Sequence, residues 1–276
     1  MNQAPTPAAG LVGQPAPIVE AIRQARARHA VRFRIEFAIT WLVLVGGLVL
    51  ALFAAGKIDT EFLNKWVPFI LGGVPMTLLV SVVSIAVAVV FALIGALGRL
   101  SSVAPIYAVA TLYVSMVRGT PLIVQILFIY SALPQFGIVL PAFIAGVFAL
   151  SFNYGAYMTE VFRAGIQAVP RGQTEAAQAL GMPERGIMRR IVMPQAIRIV
   201  IPAIGNEFIA MTKDSSLVSY VALQELLWRA RTVGSANFRS LETLLVAALI
   251  YWLMTIVLSY FQGRLEKRMA ESEVRV

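Results

Sequence analysis

Apolar stretches at roughly 35–55, 74–98, 104–133, 141–159, 199–211 and 241–261 dominate this chain. Several approach or exceed the ~20 residues needed to cross ~30 Å of hydrocarbon. With 59% hydrophobic and 13% charged residues, the chain reads as one polytopic membrane bundle rather than a string of soluble domains. Its net charge of +9 does not form a basic stripe on a soluble fold. The basic residues flank the apolar runs, as the positive-inside rule requires, so nucleic acid is not the implied partner. The absence of cysteine excludes disulfides and thiolate metal sites. The one histidine, His29, lies in the basic N-terminal segment without a partner histidine, so no metal site is expected.

Residues 1–34 read as a mobile, basic, cytoplasmic tail. They are rich in Pro, Ala and Gly up to about residue 18, and then carry Arg23, Arg26, Arg28, Arg32 and Arg34. An extra N-terminal span follows at 35–56. The long segment before it marks a retained anchor rather than a signal peptide. Residues 57–73, with Trp66 and Phe69, should form an outside connection and a short helix on the membrane. The run 104–133 would be ~45 Å long as one helix, longer than the bilayer core, so it must tilt or break. Gly119-Thr120-Pro121 is where a break is expected. Segment 214–240 is too polar to span and should fold partly back as a short re-entrant or surface helix around 223–228. The expected fold is an all-α membrane protein of about six transmembrane helices with both termini cytoplasmic. Arg229, Arg231 and Arg239 are the arginines that disagree with the assigned sides.

One segment is unlike the rest. Residues 175–194 read EAAQALGMPERGIMRRIVMP, a polar, basic, helix-forming stretch. Gly181 suits a left-handed helix end and Pro183 the first turn of the next helix. The segment therefore reads as a helix over 173–180, a tight turn, and a second helix that Pro194 terminates or kinks. Ala176, Ala177 and Ala179 are small enough for a partner to approach closely, and Arg185, Arg189, Arg190 and Arg198 supply charged donors for it.

The spacing Glu175-Ala176-Ala177, Gly181, Ile191, Met193, Pro194 resembles the EAA loop of ABC-importer permeases. Met193 replaces the usual leucine, a swap that conserves volume. Further segments resemble the polar amino-acid group of that family: Arg118-Gly119-Thr120-Pro121 through Gln125, Asn153-Tyr154-Gly155-Ala156-Tyr157 with Glu160 and Arg163, and Asn206-Glu207-Phe208 with Lys213-Asp214. The resemblance implies a permease domain over 74–268, its EAA loop at about 171–198, translocating a polar amino acid across the bacterial inner membrane. It implies as partners two ABC ATPase subunits, a second permease copy or paralogue, and an extracytoplasmic substrate-binding protein, with membrane lipid around them. ATP would bind the ATPase, since this chain has no GxxxxGK[ST] phosphate loop and no cofactor of its own is expected. ATPase coupling would fall to Glu175, Ala176, Ala177, Gly181, Ile191, Met193 and Pro194.

The candidate substrate path comprises Arg118, Thr120, Asn153, Tyr154, Tyr157 and Glu160. An ion at membrane depth is expensive and so points to function. Arg118 either forks onto a substrate carboxylate or pairs with Glu160 or Glu207. Glu160 and Arg163 share a helical face and can pair with each other. Three other readings stay open: an importer of another small polar solute such as an opine, a non-transport membrane subunit, and an ion channel. No catalytic constellation supports an enzyme, and no filter-like loop or charge ring supports a channel.

Overall fold

The computed structural model describes residues 17–54 and 58–271, which are helical with no strand among them. The N-terminal unit is one helix, α1 (Pro17–Ala54). The boundary expected at residue 34 between tail and span therefore falls inside a helix. The physical reason is local: from residue 18 to 45 the chain has neither Pro nor Gly, and Ala, Arg, Gln and Glu are strong helix formers. The part of the tail before Pro17, and the end of the first span after Ala54, lie outside the described residues.

The second unit contains α2 (Thr60–Leu71), α3 (Val74–Arg99), α4 (Ala104–Arg118), α5 (Leu122–Leu127), α6 (Ala142–Gln167), α7 (Arg171–Ala179), α8 (Glu184–Ile187), α9 (Met193–Asp214), α10 (Leu226–Ala236) and α11 (Ser240–Glu271). Its central contact is α3 against α6. The buried stripe of α3 is Thr77, Val80, Ser81, Ser84, Ala88, Ala92, Gly95 and Ala96, spaced three or four apart and mostly small. It meets the small buried residues Ala145, Ala149, Ser151, Gly155, Ala156 and Thr159 of α6. Between apolar helices in lipid, such small faces bring backbones close enough for dispersion and hydrogen bonds to act. A β-carbon at Gly95 would collide with the Thr159 side chain, so glycine is required there. Ser151 donates to the Ser84 carbonyl at 3.0 Å across the same interface.

The break expected in 104–133 is present. The axis turns by 103° between α4 and the helix that starts at Leu122. Four helical stretches are long and apolar enough to cross a membrane, Arg28–Ala51, Thr60–Arg99, Ala142–Gln167 and Ser240–Met269, and the bent pair can supply a fifth. Met193–Asp214 is not among them, because Arg198, Asn206, Glu207, Lys213 and Asp214 dilute its apolar residues. The count of about six thus rests on α9, whose polar residues need partners inside the protein.

Pro194 does not end its helix. From Glu184 the backbone stays helical to Asp214, passing through a wider π turn at Met188–Val192 just before the proline. A π turn opens the ladder where Pro lacks a donor and its ring would strike the carbonyl four residues back.

Beyond Asp214 the chain runs through a 3₁₀ segment (Ser215–Val221) and a left-handed Ala222 into α10, which starts later and runs further (Leu226–Ala236) than the short helix expected around 223–228. Glu225, fully buried, caps α10. Its carboxylate accepts from the Trp228 N–H at 2.7 Å, the Tyr251 hydroxyl at 2.5 Å and the Thr77 hydroxyl at 3.4 Å, joining α10 to α11 and α3. The exceptional arginines lie over aromatic rings: Arg229 over Phe69 at 5.0 Å, Arg231 over Tyr220 at 4.4 Å and Arg239 over Phe62 at 4.9 Å. Cation–π attraction accounts for their placement where charge bias does not.

Replacing Glu225 by Ala leaves the Tyr251 hydroxyl and a buried helix terminus without their acceptor, while Thr77 keeps the Gly73 carbonyl at 3.2 Å. The expected loss is about 2–4 kcal/mol of stability. Glu225→Gln, which keeps one acceptor oxygen, should lose less. Thermal unfolding of the detergent-solubilised protein checks both, and a wild-type midpoint for Glu225→Ala would refute the cap.

Candidate functional site

The α4–α5 break faces α6 and the far end of α9 across a cavity of about 540 Å³. Arg118, Gly119, Thr120, Pro121 and Leu122 form one wall. Asn153, Tyr154 and Tyr157 of α6 form a second, and Glu207 and Asp214 of α9 a third. That volume suits a small molecule. Five of the six expected path residues thus line one space.

The guanidinium of Arg118 lies over the Tyr157 ring at 5.1 Å, and among the described residues it forms no salt bridge with Glu160 or Glu207. Its forked donors remain available to an anion entering the cavity. Opposite it, the Tyr154 hydroxyl donates to Asp214 Oδ2 at 2.8 Å, orienting that carboxylate. Thr120 contributes less than its position suggests. Its hydroxyl donates to the Met116 carbonyl at 3.0 Å, filling a bond of its own broken helix.

Glu160 is the exception. It is not among the cavity-lining residues but sits further along α6, accepting from Arg163 Nη2 at 2.7 Å and Arg99 Nε at 3.3 Å. The pairing with Arg163 follows from helical spacing. Arg99 reaches it from α3 and also donates to Thr111 of α4 at 2.7 Å, so the cluster ties three helices together. Their charges hold Glu160 in place, which is why it does not turn toward the cavity. The sequence reading missed Glu207 and Asp214 as cavity residues. The signal was present, since both are acids in a helix counted among the membrane spans.

The second candidate site is the loop between α6 and α9. Helix α7 ends as expected: Gly181 takes φ +73°, its N–H bonds the Gln178 carbonyl at 2.9 Å, and the Met182 N–H bonds the Ala177 carbonyl at 3.1 Å. This pair of bonds is the Schellman closure, which satisfies carbonyls the helix end would leave open. Glu175 and Ala176 are exposed, as a docking face requires. Ala177 differs from expectation, being 4% exposed and packed with Val169, Ile187, Val192 and Ala196. Its small size lets α7 lie against its own chain rather than against a partner. Ile191 and Met193 are half-buried, and Ile191 packs on the same cluster. Pro194 is exposed. The apolar group offered outward is Leu180, 83% exposed at the turn and overlooked in the sequence, with exposed Arg185, Arg189, Arg190 and Arg198 nearby in the chain.

Residues 88–271 match the profile of the binding-protein-dependent transport system inner membrane component family. The chain is 38% identical over 208 residues to the arginine transport system permease protein of Bacillus subtilis (strain 168), covering 75% of this chain and 95% of the relative. It is 39% identical over 203 residues to the L-cystine transport system permease protein of the same organism, covering 73% and 87%. Among solved structures, it is similar to the crystal structure of an amino acid ABC transporter with histidines, at 43% identity and TM-score 0.73, covering 76% of this chain and 99% of the other. A methionine ABC transporter in an inward-facing conformation shares the fold at 16% identity and TM-score 0.65.

At Gly181 a side chain would meet nothing within 4 Å, so substitution acts through the backbone alone. Forcing a β-branched residue into the left-handed region costs ~1–2 kcal/mol. Gly181→Val is expected to reduce co-purification of the ATPase with the solubilised chain while leaving membrane insertion intact. Gly181→Asn, which tolerates this φ, should retain more of it. Equal co-purification by Gly181→Val and wild type would show that this turn does not shape the docking face.

Proposed function

The chain belongs to the family of binding-protein-dependent transport system inner membrane components, and from this premise we propose that its cavity passes a polar amino acid across the inner membrane. As an ABC-importer permease it is a transport subunit, not an enzyme. The observation that carries the amino-acid reading is the charge arrangement at the α4–α5 break. One fixed cation, Arg118, faces two carboxylates, Glu207 and Asp214, across a space the size of a small molecule. A zwitterion presents the matching pair, its α-carboxylate to the Arg118 fork and its α-ammonium to the acids. The relatives named for arginine and cystine transport support the same class.

In this reading ATP is bound by a partner ATPase, whose contact is the face of Glu175, Ala176 and Leu180 with its arginines. An extracytoplasmic binding protein supplies the amino acid. A second permease copy or paralogue closes the open side of the path. Both termini lie in the cytoplasm, because the arginines before the first apolar run and Arg264, Lys267 and Arg268 after the last are on the retained side.

Replacing Arg118 tests the substrate role directly. Losing a charge-assisted pair at about 1.5–3 kcal/mol corresponds to a roughly 10- to 100-fold drop in uptake for Arg118→Ala. Arg118→Lys should fall between, because it keeps charge without the fork. Assembly should be unchanged, since the side chain faces the cavity and holds no carboxylate. Radiolabelled L-arginine and L-glutamine uptake by the reconstituted complex is the measurement. Wild-type rates in both variants would refute the reading.

A further inference from the structure

A glutamine that is outside the cavity lining controls what the cavity presents. Gln125, on the second turn of α5, turns its carboxamide back onto the break. Its Nε2 donates to the Val117 carbonyl at 2.8 Å, and lies 3.2 Å from the Thr120 carbonyl and 2.7 Å from the Thr120 hydroxyl oxygen. Backbone carbonyls only accept, so the nitrogen must be the end that faces the break, and Oε1 must be the end that faces α6. There it accepts from Asn153 Nδ2 at 3.2 Å. The orientation of one amide therefore dictates the other. Asn153 is 6% exposed, lines the cavity, and has its NH₂ committed to Gln125. Among the described residues its Oδ1 accepts no hydrogen bond.

We propose that Gln125 is a positioning residue that locks Asn153 with its oxygen toward the cavity, where it accepts a hydrogen bond from the substrate's α-ammonium. The inference rests on reading the cavity as the amino-acid site. Without Gln125, the Asn153 amide can turn and present a donor to a cation, which cannot bind it. The same bonds tie the break to α6, so the bend and the acceptor are set by one side chain. This also explains why a glutamine, with both donor and acceptor at the end of a two-methylene stem, occupies this position. An apolar residue would leave the Val117 carbonyl only the longer Thr120 contacts at 3.4 and 3.5 Å, and a basic one would have no acceptor for Asn153.

The test is equilibrium binding of radiolabelled L-arginine and L-glutamine to the solubilised permease–ATPase complex without its binding protein. Each probe is compared with its analogue lacking the α-amino group. Asn153→Ala and Gln125→Leu are each expected to weaken binding about tenfold or more and to erase the preference for the amino acid over its deamino analogue. Acting through one group, the two changes together should weaken binding no further than Asn153→Ala alone. Gln125→Glu keeps an oxygen facing Asn153 and should retain the preference even if the break is less stable. Wild-type binding by Gln125→Leu, a double variant as weak as the product of the two effects, or loss of preference in Gln125→Glu would overturn the inference while the cavity reading stands. If Asn153→Ala and Arg118→Ala both bind as wild type, or no probe binds the wild-type complex, the cavity reading itself falls and the inference with it.

Discussion

Helices surrounded by lipid gain little from burying apolar side chains against each other, because hydrocarbon tails are equally apolar. The contact between α3 and α6 meets that constraint with size rather than hydrophobicity. Ser81, Ser84, Ala88, Ala92 and Gly95 on one helix and Ala145, Ala149, Gly155 and Thr159 on the other remove side-chain bulk and let the backbones approach. Several other elements of the second unit pack on this pair. The broken α4–α5 element packs against α6, α9 crosses both α3 and α6, and the 3₁₀ segment after Asp214 rests on α3, α5 and α6. Its Val218 comes within 3.1 Å of the position a β-carbon would take at Gly146, tighter than ordinary van der Waals contact.

A second constraint is that polar groups at such depth must find partners within the protein. Several backbone groups here have a side-chain partner. The carbonyl freed at Val117 is taken by Gln125, the buried start of α10 by Glu225, and the Pro202 carbonyl by Gln262 of α11 at 2.7 Å. Arg99 and Arg163 share the Glu160 carboxylate across helices, whereas Arg118 forms no salt bridge among the described residues and lies over an aromatic face.

The two candidate sites share a single rod. The helical path that starts at Glu184, beside the Gly181 turn, continues through the π turn and α9 to Glu207 and Asp214 at the cavity. One continuous helical path thus runs from just after the Gly181 turn to the carboxylate wall. Ala177 serves the same linkage, since its burial against Ile187, Val192 and Ala196 fastens α7 to the start of that rod.

Much of this was legible from residues adjacent in the chain. Apolar runs of membrane length, the breaker triplet Gly119-Thr120-Pro121, the left-handed turn at Gly181 and the Glu160–Arg163 pair are local effects of hydropathy, steric restriction and helical spacing. Chain position alone could not say that Pro194 would be absorbed by a π turn, that Ala177 would face inward, or that Arg229 and Arg231 would lie on Phe69 and Tyr220. Nor could it bring Glu207 and Asp214 to the wall opposite Arg118, or join Gln125 to Asn153. Those outcomes depend on which faces meet, across sequence separations of up to 160 residues. The sequence by itself determined a membrane-helical chain with one broken element and one polar loop, because these follow from local energetics. Only the tertiary structure decided which charges pair and which face the cavity, because that choice is made when helix faces meet.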